Sequence, residues 1–281
     1  MQKITLKSIA KINLGLVVKE KRDDGFHNIE TIFYPLHDIF DTLTFEASNK
    51  SEFISNIELP FDKNNLIFRA KRELEKFVGE KLNVKITLDK NIPIGAGLGG
   101  GSSNAATTLK ALQKLFSIYI SEQKLYEIAL RLGSDVPFFL LSKPAFAEGR
   151  GEKLKPIKIK INKPIVLINP KIHISTATAY RRTLGFETNI LRLEAIIKSV
   201  TNNFENADEF IVNDFERYVF YKYPKIGGLL LDFYANGAKF SRMTGTGSTV
   251  FGIFENVKEA KKSISSLSKL NYITLLSKKH G

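Results

Sequence analysis

At 281 residues, 43% hydrophobic and 25% charged, the chain is long enough to bury the core of one large or two modest domains. It has no cysteine, which excludes disulfides, thiolate metal sites and a cysteine nucleophile, and no run approaches the roughly 18 apolar residues of a membrane span. The formal net charge of +13 is compatible with attraction for polyanions or with a lysine-rich surface, but the lysines are spread along the chain, so no specific nucleic-acid partner is expected. The stretch from Met1 to Leu16 mixes lysines into its apolar residues and lacks a signal-peptide core, so a soluble cytoplasmic protein is expected.

Residues 4–18 alternate: Leu6, Ala10, Ile12, Leu14 and Leu16 share one face, with Lys7, Lys11 and Asn13 on the other. That is strand periodicity, and it projects Lys11 and Asn13 from the same face. Asp24-Gly25 signals a turn before a second extended stretch, Ile29 to Leu36. Asn65 is placed to cap a helix carrying Leu66, Ala70, Leu74 and Phe77, which Gly79 would end. Leu82, Val84, Ile86 and Leu88 then alternate as a strand.

The most informative segment follows, Pro93-Ile94-Gly95-Ala96-Gly97-Leu98-Gly99-Gly100-Gly101-Ser102-Ser103-Asn104-Ala105-Ala106. It opens a helix, because Ala105, Leu109, Leu112 and Phe116 recur at helical spacing. Glycines expose backbone N–H groups, and a helix start adds unpaired donors and partial positive charge. Together these make an anion site, and the simplest client is a nucleotide phosphate chain.

Downstream, Ser121 starts an amphipathic helix through Leu125, Ile128, Ala129 and Leu132. Asp135 precedes a helix containing Pro137, so from the residues alone it is either a cap or a catalytic carboxylate. The basic stretch from Lys153 to Lys163 carries Pro156 and precedes the apolar strand Ile165 to Ile168. The domain boundary is expected there, giving 1–158 as an N-terminal domain that carries the glycine loop and 159–281 as a C-terminal domain. Helices are expected near 177–183, within 189–221 and over 224–234. The remaining chain reads strand 238–243, Gly-rich loop 244–248, strand 249–254, helix 256–268 and strand 272–276. Such mixed patterning is α+β rather than a regular parallel βαβ array.

Gly95-Ala96-Gly97-Leu98-Gly99-Gly100 formally matches the dinucleotide fingerprint G-x-G-x-x-G. The acidic residue at the right distance, Glu122, sits in the first turn of a helix instead of ending a strand, so the Rossmann reading loses its second half. No Gly-Lys-Ser/Thr closes the loop as in a P-loop, and no His-Arg-Asp or Asp-Phe-Gly marks a protein kinase.

At these residues the chain resembles the GHMP kinase superfamily, whose ATP loop is Pro-x-x-x-Gly-Leu-Gly-Ser-Ser-x-Ala-Ala. Here two extra glycines separate Leu98-Gly99 from Ser102-Ser103. The landmarks Ala10-Lys11-Ile12-Asn13-Leu14, Asp24-Gly25-Phe26-His27, Gly133-Ser134-Asp135, Asn213-Asp214-Phe215-Glu216 and Thr244-Gly245-Thr246-Gly247-Ser248 follow in the superfamily's order. The resemblance implies a ribosomal-protein-S5-domain-2-like N-terminal part, a ferredoxin-like C-terminal part, and ATP with Mg²⁺. It implies a small-molecule cytidine diphosphate acceptor phosphorylated on an alcohol, by a monomer or homodimer. Lys11 and Asp135 match the catalytic positions. Pro93, Gly95, Gly97, Leu98, Gly99, Gly100, Gly101, Ser102 and Ser103 match the ATP loop, with Asn65 and Lys90 near the nucleoside. Either Ser102 or Ser103 is a candidate metal ligand. Asn13, His27, Arg150, Gly245 and Thr246 match acceptor-binding positions, with Phe26, Phe33 and Tyr180 as stacking aromatics for the cytosine. Position 26 is commonly tyrosine in the resembling proteins, so Phe26 keeps the ring but lacks the hydroxyl.

Overall fold

The computed structural model describes residues 2–183, 191–267 and 272–278. They form two compact units: Met1–Ala10, Phe40–Ile94 and Gly99–Ser142 make the first, and Lys11–Ile39, Gly95–Leu98 and Lys143–Gly281 the second. This differs from the expected division at residue 158, because two long strands run through both units. These are β1 (Lys3–Lys21) and β2 (His27–Ala47). The turn between them is the expected Asp24-Gly25, closed by a hydrogen bond from Gly25 N–H to the Arg22 carbonyl.

In the first unit, β3 (Glu52–Ser55) pairs in parallel with β4 (Val84–Asp89), and β4 pairs antiparallel with Thr42–Ala47 of β2. Helix α1 (Leu66–Val78) starts where the sequence places it: the Asn65 side chain accepts from Ile67 N–H, and Gly79 ends the helix at φ 80°. Ile67, Ala70 and Leu74 form its buried face, at helical spacing. Helix α2 (Gly100–Leu115) is buried along most of its length, since α1 and α4 (Val136–Leu141) both pack on it. Between α2 and α4 runs α3 (Glu122–Leu132), capped by Ser121, whose hydroxyl accepts from Lys124 N–H. Lys110 of α2 donates to the carbonyls of Phe139 and Leu140, two of the acceptors that the short α4 leaves unpaired.

In the second unit, Thr31–Phe33 of β2 pairs with β5 (Ala145–Glu148), and β5 pairs with β6 (Lys153–Pro156). The basic stretch where the domain boundary is expected therefore begins as a strand. After β7 (Ile165–Asn169) come α5 (Thr176–Thr183), α6 (Leu193–Thr201), α7 (Ala207–Phe210), α8 (Phe215–Lys222) and α9 (Pro224–Ala235). Residues 189 and 190, expected at the start of that helical region, and 268, at the end of a later helix, lie outside the described residues. The chain ends with β8 (Phe240–Met243), β9 (Val250–Ile253), α10 (Val257–Leu267) and β10 (Ile273–Ser277). These strands form an antiparallel sheet in the order β10-β7-β9-β8. Numbered along the chain from β7, that is 4-1-3-2 with helices after the first and third strands, the ferredoxin-like topology. Ile226, Leu229 and Phe233 of α9 cover the sheet, and Gly252 of β9 gives the Phe233 ring its space: a Cβ there would lie 2.6 Å from it. Among the described residues, no helix is long and apolar enough to cross a membrane.

Candidate active site

Alternation in β1 gives way after Ala10 to burial on both faces through Val18. Lys11 and Asn13 still share a face, but it is covered: they are only 3% and 2% exposed. A buried ammonium must be paired. Lys11 Nζ donates to Asn13 Oδ1 at 2.6 Å and lies 5.3 Å from the centre of the Phe33 ring. Asn13 Nδ2 donates to Thr31 Oγ1 at 2.7 Å, and that hydroxyl donates to the Gly15 carbonyl at 2.6 Å. The Asn13 amide is thereby fixed, with its oxygen toward Lys11.

The second glycine loop enters the same network. Asn13 N–H donates to Thr244 Oγ1 at 3.0 Å, and Thr244 Oγ1 lies 3.4 Å from the Gly97 carbonyl. Gly97 has φ 77°, and a Cβ there would stand 2.3 Å from the Thr244 carbonyl. Only glycine fits this position, for backbone conformation and for space. Lys11 N–H donates to the Leu98 carbonyl at 3.1 Å, which holds this part of the first loop against β1. Gly95 is exposed, Gly245 lies beside Gly97 and Asn13, and the Thr246 hydroxyl is 3.5 Å from that of Thr176.

His27 is buried, stacked on Tyr180 with centroids 5.0 Å apart, and Tyr180 meets Phe215 edge-on at 4.9 Å. Burial, aided by the charge on Lys21, lowers the His27 pKa, so the imidazole is neutral at pH 7. Its Nε2 is buried with no hydrogen-bond partner among the described residues. Such an atom is costly unless something else supplies the bond. Phe26 is 48% exposed, with the Arg150 guanidinium 4.3 Å from its ring centre, and Arg150 N–H donates to Glu152. Phe33 differs from the other expected stacking aromatics. It is 1% exposed, beneath Lys11 and Gly151, and offers no open face.

In the first unit the loop runs straight into α2. Gly99 takes φ 70° at the N-cap, and Ser103 N–H donates back to the Gly99 carbonyl at 2.9 Å. The helix begins at Gly100, inside the glycine run and earlier than the apolar spacing alone suggests. Gly100 is closely packed below, where a Cβ would come within 2.9 Å of Ile92 and 3.0 Å of Lys90 Nζ. Ser103 is buried and its hydroxyl accepts from Ser8 at 2.8 Å, whereas Ser102 is half-buried and Gly101 exposed. A Cβ on Gly133 would lie 4.0 Å from Ser102 Oγ, so this hydroxyl borders the loop leading to Asp135. Asp135 is half-buried, and its carboxylate makes no capping hydrogen bond to α4.

Sequence reasoning missed the residue beneath the loop. Asp41 is fully buried and accepts four hydrogen bonds: from Asn91 N–H at 2.8 Å, Ile92 N–H at 2.7 Å, Lys90 Nζ at 2.7 Å and Asn104 Nδ2 at 2.8 Å. Lys90 also donates to the Ile92 carbonyl at 2.6 Å, and its side chain is 5% exposed. Burial lowers its pKa against the pull of Asp41. The ammonium expected near the nucleoside thus lies under the start of α2. Asn65 caps α1 and donates to the Pro60 carbonyl.

A glycine loop feeding a helix start, a buried lysine–asparagine pair on the first strand and a ferredoxin-like second sheet together describe one class of enzyme. The GHMP kinases N terminal domain matches residues 65–143 and GHMP kinases C terminal matches residues 192–273. The chain belongs to the GHMP kinases and is a small-molecule kinase that uses ATP. It is 42% identical to the 4-diphosphocytidyl-2-C-methyl-D-erythritol kinase of Prosthecochloris aestuarii over 272 residues, 95% of each chain. It is 41% identical to the enzyme of that name from Chlorobium chlorochromatii, over 93% of this chain and 92% of the relative. A crystal structure of 4-(cytidine 5'-diphospho)-2C-methyl-D-erythritol kinase superposes with a TM-score of 0.85 at 33% identity, covering 97% and 98% of the two chains.

Proposed function

We propose that this protein transfers the γ-phosphate of ATP to the 2-hydroxyl of 4-diphosphocytidyl-2-C-methyl-D-erythritol, a step of non-mevalonate isoprenoid precursor biosynthesis in the cytoplasm. The observation that carries the acceptor assignment is the buried Nε2 of a neutral His27 stacked on Tyr180, without a hydrogen-bond partner among the described residues. A neutral imidazole offers one donor or one acceptor to the edge of a nucleobase. Tyr180 and Phe26 supply aromatic faces, and Arg150 holds Phe26. Phe33 serves as the floor under Lys11.

Asn13, with Gly245 and Thr246 of the second loop, faces the acceptor's diphosphate and sugar alcohol. Lys11 supplies positive charge on the acceptor side. Asp135 orients the attacking hydroxyl and takes its proton late, since phosphoryl transfer proceeds through a loose transition state in which early deprotonation gains little.

The Gly95–Ser103 loop and the start of α2 hold the ATP phosphates, each helix-end interaction contributing about 0.3–1 kcal/mol. Pro93 and Leu98 shape the loop, Lys90 supports it from below, and Asn65 sets the helix beside it. Mg²⁺, when bound, would take a hydroxyl of this loop, Ser102 or Ser103, as a protein ligand. Ser102 fits that duty better than Ser103, whose hydroxyl is buried against Ser8. When bound, Mg²⁺ neutralises charge on the transferring phosphates.

The test is ADP release from ATP and Mg²⁺ with and without 4-diphosphocytidyl-2-C-methyl-D-erythritol. Turnover that depends on this acceptor is expected. Acceptor-independent or absent turnover in folded protein would overturn the assignment.

A further inference from the structure

The loop Thr244–Ser248 joins β8 to β9, and hydrogen bonds of its own close it, from Thr244 N–H to the Thr249 carbonyl and from Gly247 N–H to that of Thr244. Its approach to Asn13 is set by a different segment, Val212–Glu216. Asn213 Nδ2 donates to both the Met243 carbonyl at 2.8 Å and the Gly245 carbonyl at 2.9 Å. Its Oδ1 accepts from Phe215 N–H at 3.1 Å, which fixes the amide so that the nitrogen faces the loop. Glu216 Oε1 accepts from Met243 N–H at 2.8 Å. Two side chains thus hold three backbone groups on either side of Thr244.

The same segment is fastened to β1. Leu16 N–H donates to the Val212 carbonyl at 2.8 Å, Asp214 N–H to the Leu16 carbonyl at 3.0 Å, and Val18 N–H to Asp214 Oδ2 at 2.8 Å. Asn13 lies three residues before Leu16, so one clip grips both the strand that carries Asn13 and the loop that carries Thr244.

We propose that Asn213 and Glu216 are positioning residues for acceptor recognition, holding Thr244 in register with Asn13 and, through Asn13 Oδ1, fixing the Lys11 ammonium. Neither residue touches substrate. The inference rests on the reading above that Asn13 and the second loop face the acceptor. Keeping Glu216 there is costly: burial, with a smaller push from Asp208 of α7, raises its carboxyl to about 7 against the pull of Arg242 of β8 and of the Met243 N–H. Arg242 is itself shared, its Nη2 donating to Asp208 at 2.7 Å and its Nη1 to Glu216 at 3.3 Å, and the Tyr234 hydroxyl also donates to Asp208.

Steady-state kinetics and hydrogen exchange on Glu216→Ala, Glu216→Gln and Asn213→Ser test the proposal. In Glu216→Ala and Asn213→Ser, amides of the Met243–Thr249 segment should exchange at least tenfold faster while the β7 segment is unchanged. Acceptor kcat/KM should fall about 10–100-fold, the loss expected for one to two backbone hydrogen bonds to a buried loop, with ATP KM within about twofold of the parent. Glu216→Gln should restore both, because its amide oxygen still accepts from Met243. Unchanged loop exchange in Glu216→Ala and Asn213→Ser would overturn the proposal, as would equal damage to both KM values or a Gln variant as impaired as the Ala one. If the parent enzyme is inert toward this acceptor, the substrate reading fails, while loop exchange in the same variants still decides whether the clip holds the loop.

Discussion

Two polar networks in this molecule are built on opposite principles. In the first unit the glycine loop presents backbone, and its side-chain support lies out of sight: one buried carboxylate, Asp41, gathers four donors beneath Gly100. In the second unit the proposed recognition groups are side chains, Lys11, Asn13, Thr31 and Thr244, linked in series by hydrogen bonds, one between Lys11 and Asn13, one between Asn13 and Thr31 and two between Asn13 and Thr244. Backbone donors at a helix start suit a phosphate chain, which any nucleoside triphosphate presents. Side chains in series suit an acceptor that must be told from its relatives, because an unmatched partner leaves a buried polar group unpaired. On the assignment proposed above, ATP binding thus rests on a multiply braced frame, and acceptor binding on side chains joined in series.

That contrast is open to attack first at the chemistry. Asp135→Asn removes the proton acceptor and leaves α4 intact, since the carboxylate makes no capping bond. Turnover should fall on the order of 10³-fold, within the range ascribed to general base residues, with ATP affinity unchanged by titration. Near-normal turnover would remove Asp135 from the mechanism.

Next comes the brace under the loop. Asp41→Ala strands the Lys90 ammonium and two backbone N–H groups in a buried site, and breaking a buried ion pair on one side costs about 3–5 kcal/mol. The midpoint of urea unfolding should drop accordingly. A shift no larger than that of an exposed pair such as Lys50–Glu52 would mean that water reaches the site and the frame is not braced as described.

The two networks also differed in how far they could be read in advance. The glycine loop, the Asn65 and Gly79 caps of α1 and the turn at Asp24-Gly25 are local, each decided within a few residues by φ preference or capping chemistry. The link from Asn13 to Thr244 joins residues 231 apart in sequence, and no periodicity reports it. Alternation alone does not report the burial of Lys11, because it assumes one wet face, and in β1 both faces are covered after Ala10. Phe33 shows the same limit. Its residue type fits a stacking platform, but only burial reveals that its ring carries Lys11 and Gly151. Asp41 gave no signal at all, since an aspartate on a strand is ordinarily exposed. Asn213 and Glu216 stood in a recognisable motif, but its task became visible only when Met243 and Gly245 were placed beside it.

A single link of the second network gives the next test. Thr244→Val keeps shape and removes the hydroxyl that accepts from Asn13 N–H, leaving a buried donor unpaired at about 1–3 kcal/mol. Acceptor kcat/KM should fall about 10–100-fold while the ATP KM holds, and equal effects on both substrates would erase the division between the networks.

The smallest effect is the pH response of His27. Its pKa lies below 6.5 because burial, and then Lys21, disfavours the charged form. The imidazole is therefore neutral at pH 7, and whatever it contributes to the fold and to acceptor binding is present above 6.5 and lost as pH falls. Acceptor KM should be flat from pH 8 to 6.5 and rise on the acid side by up to about tenfold, roughly one hydrogen bond's worth. The fall in ATP affinity caused by His27→Asn should be nil at every pH, because the loop's donors are backbone amides that do not titrate. His27→Asn should flatten the acceptor profile. A rise on the acid side that persists in this variant would move the titrating group elsewhere in the second network and leave the imidazole as a packing partner of Tyr180.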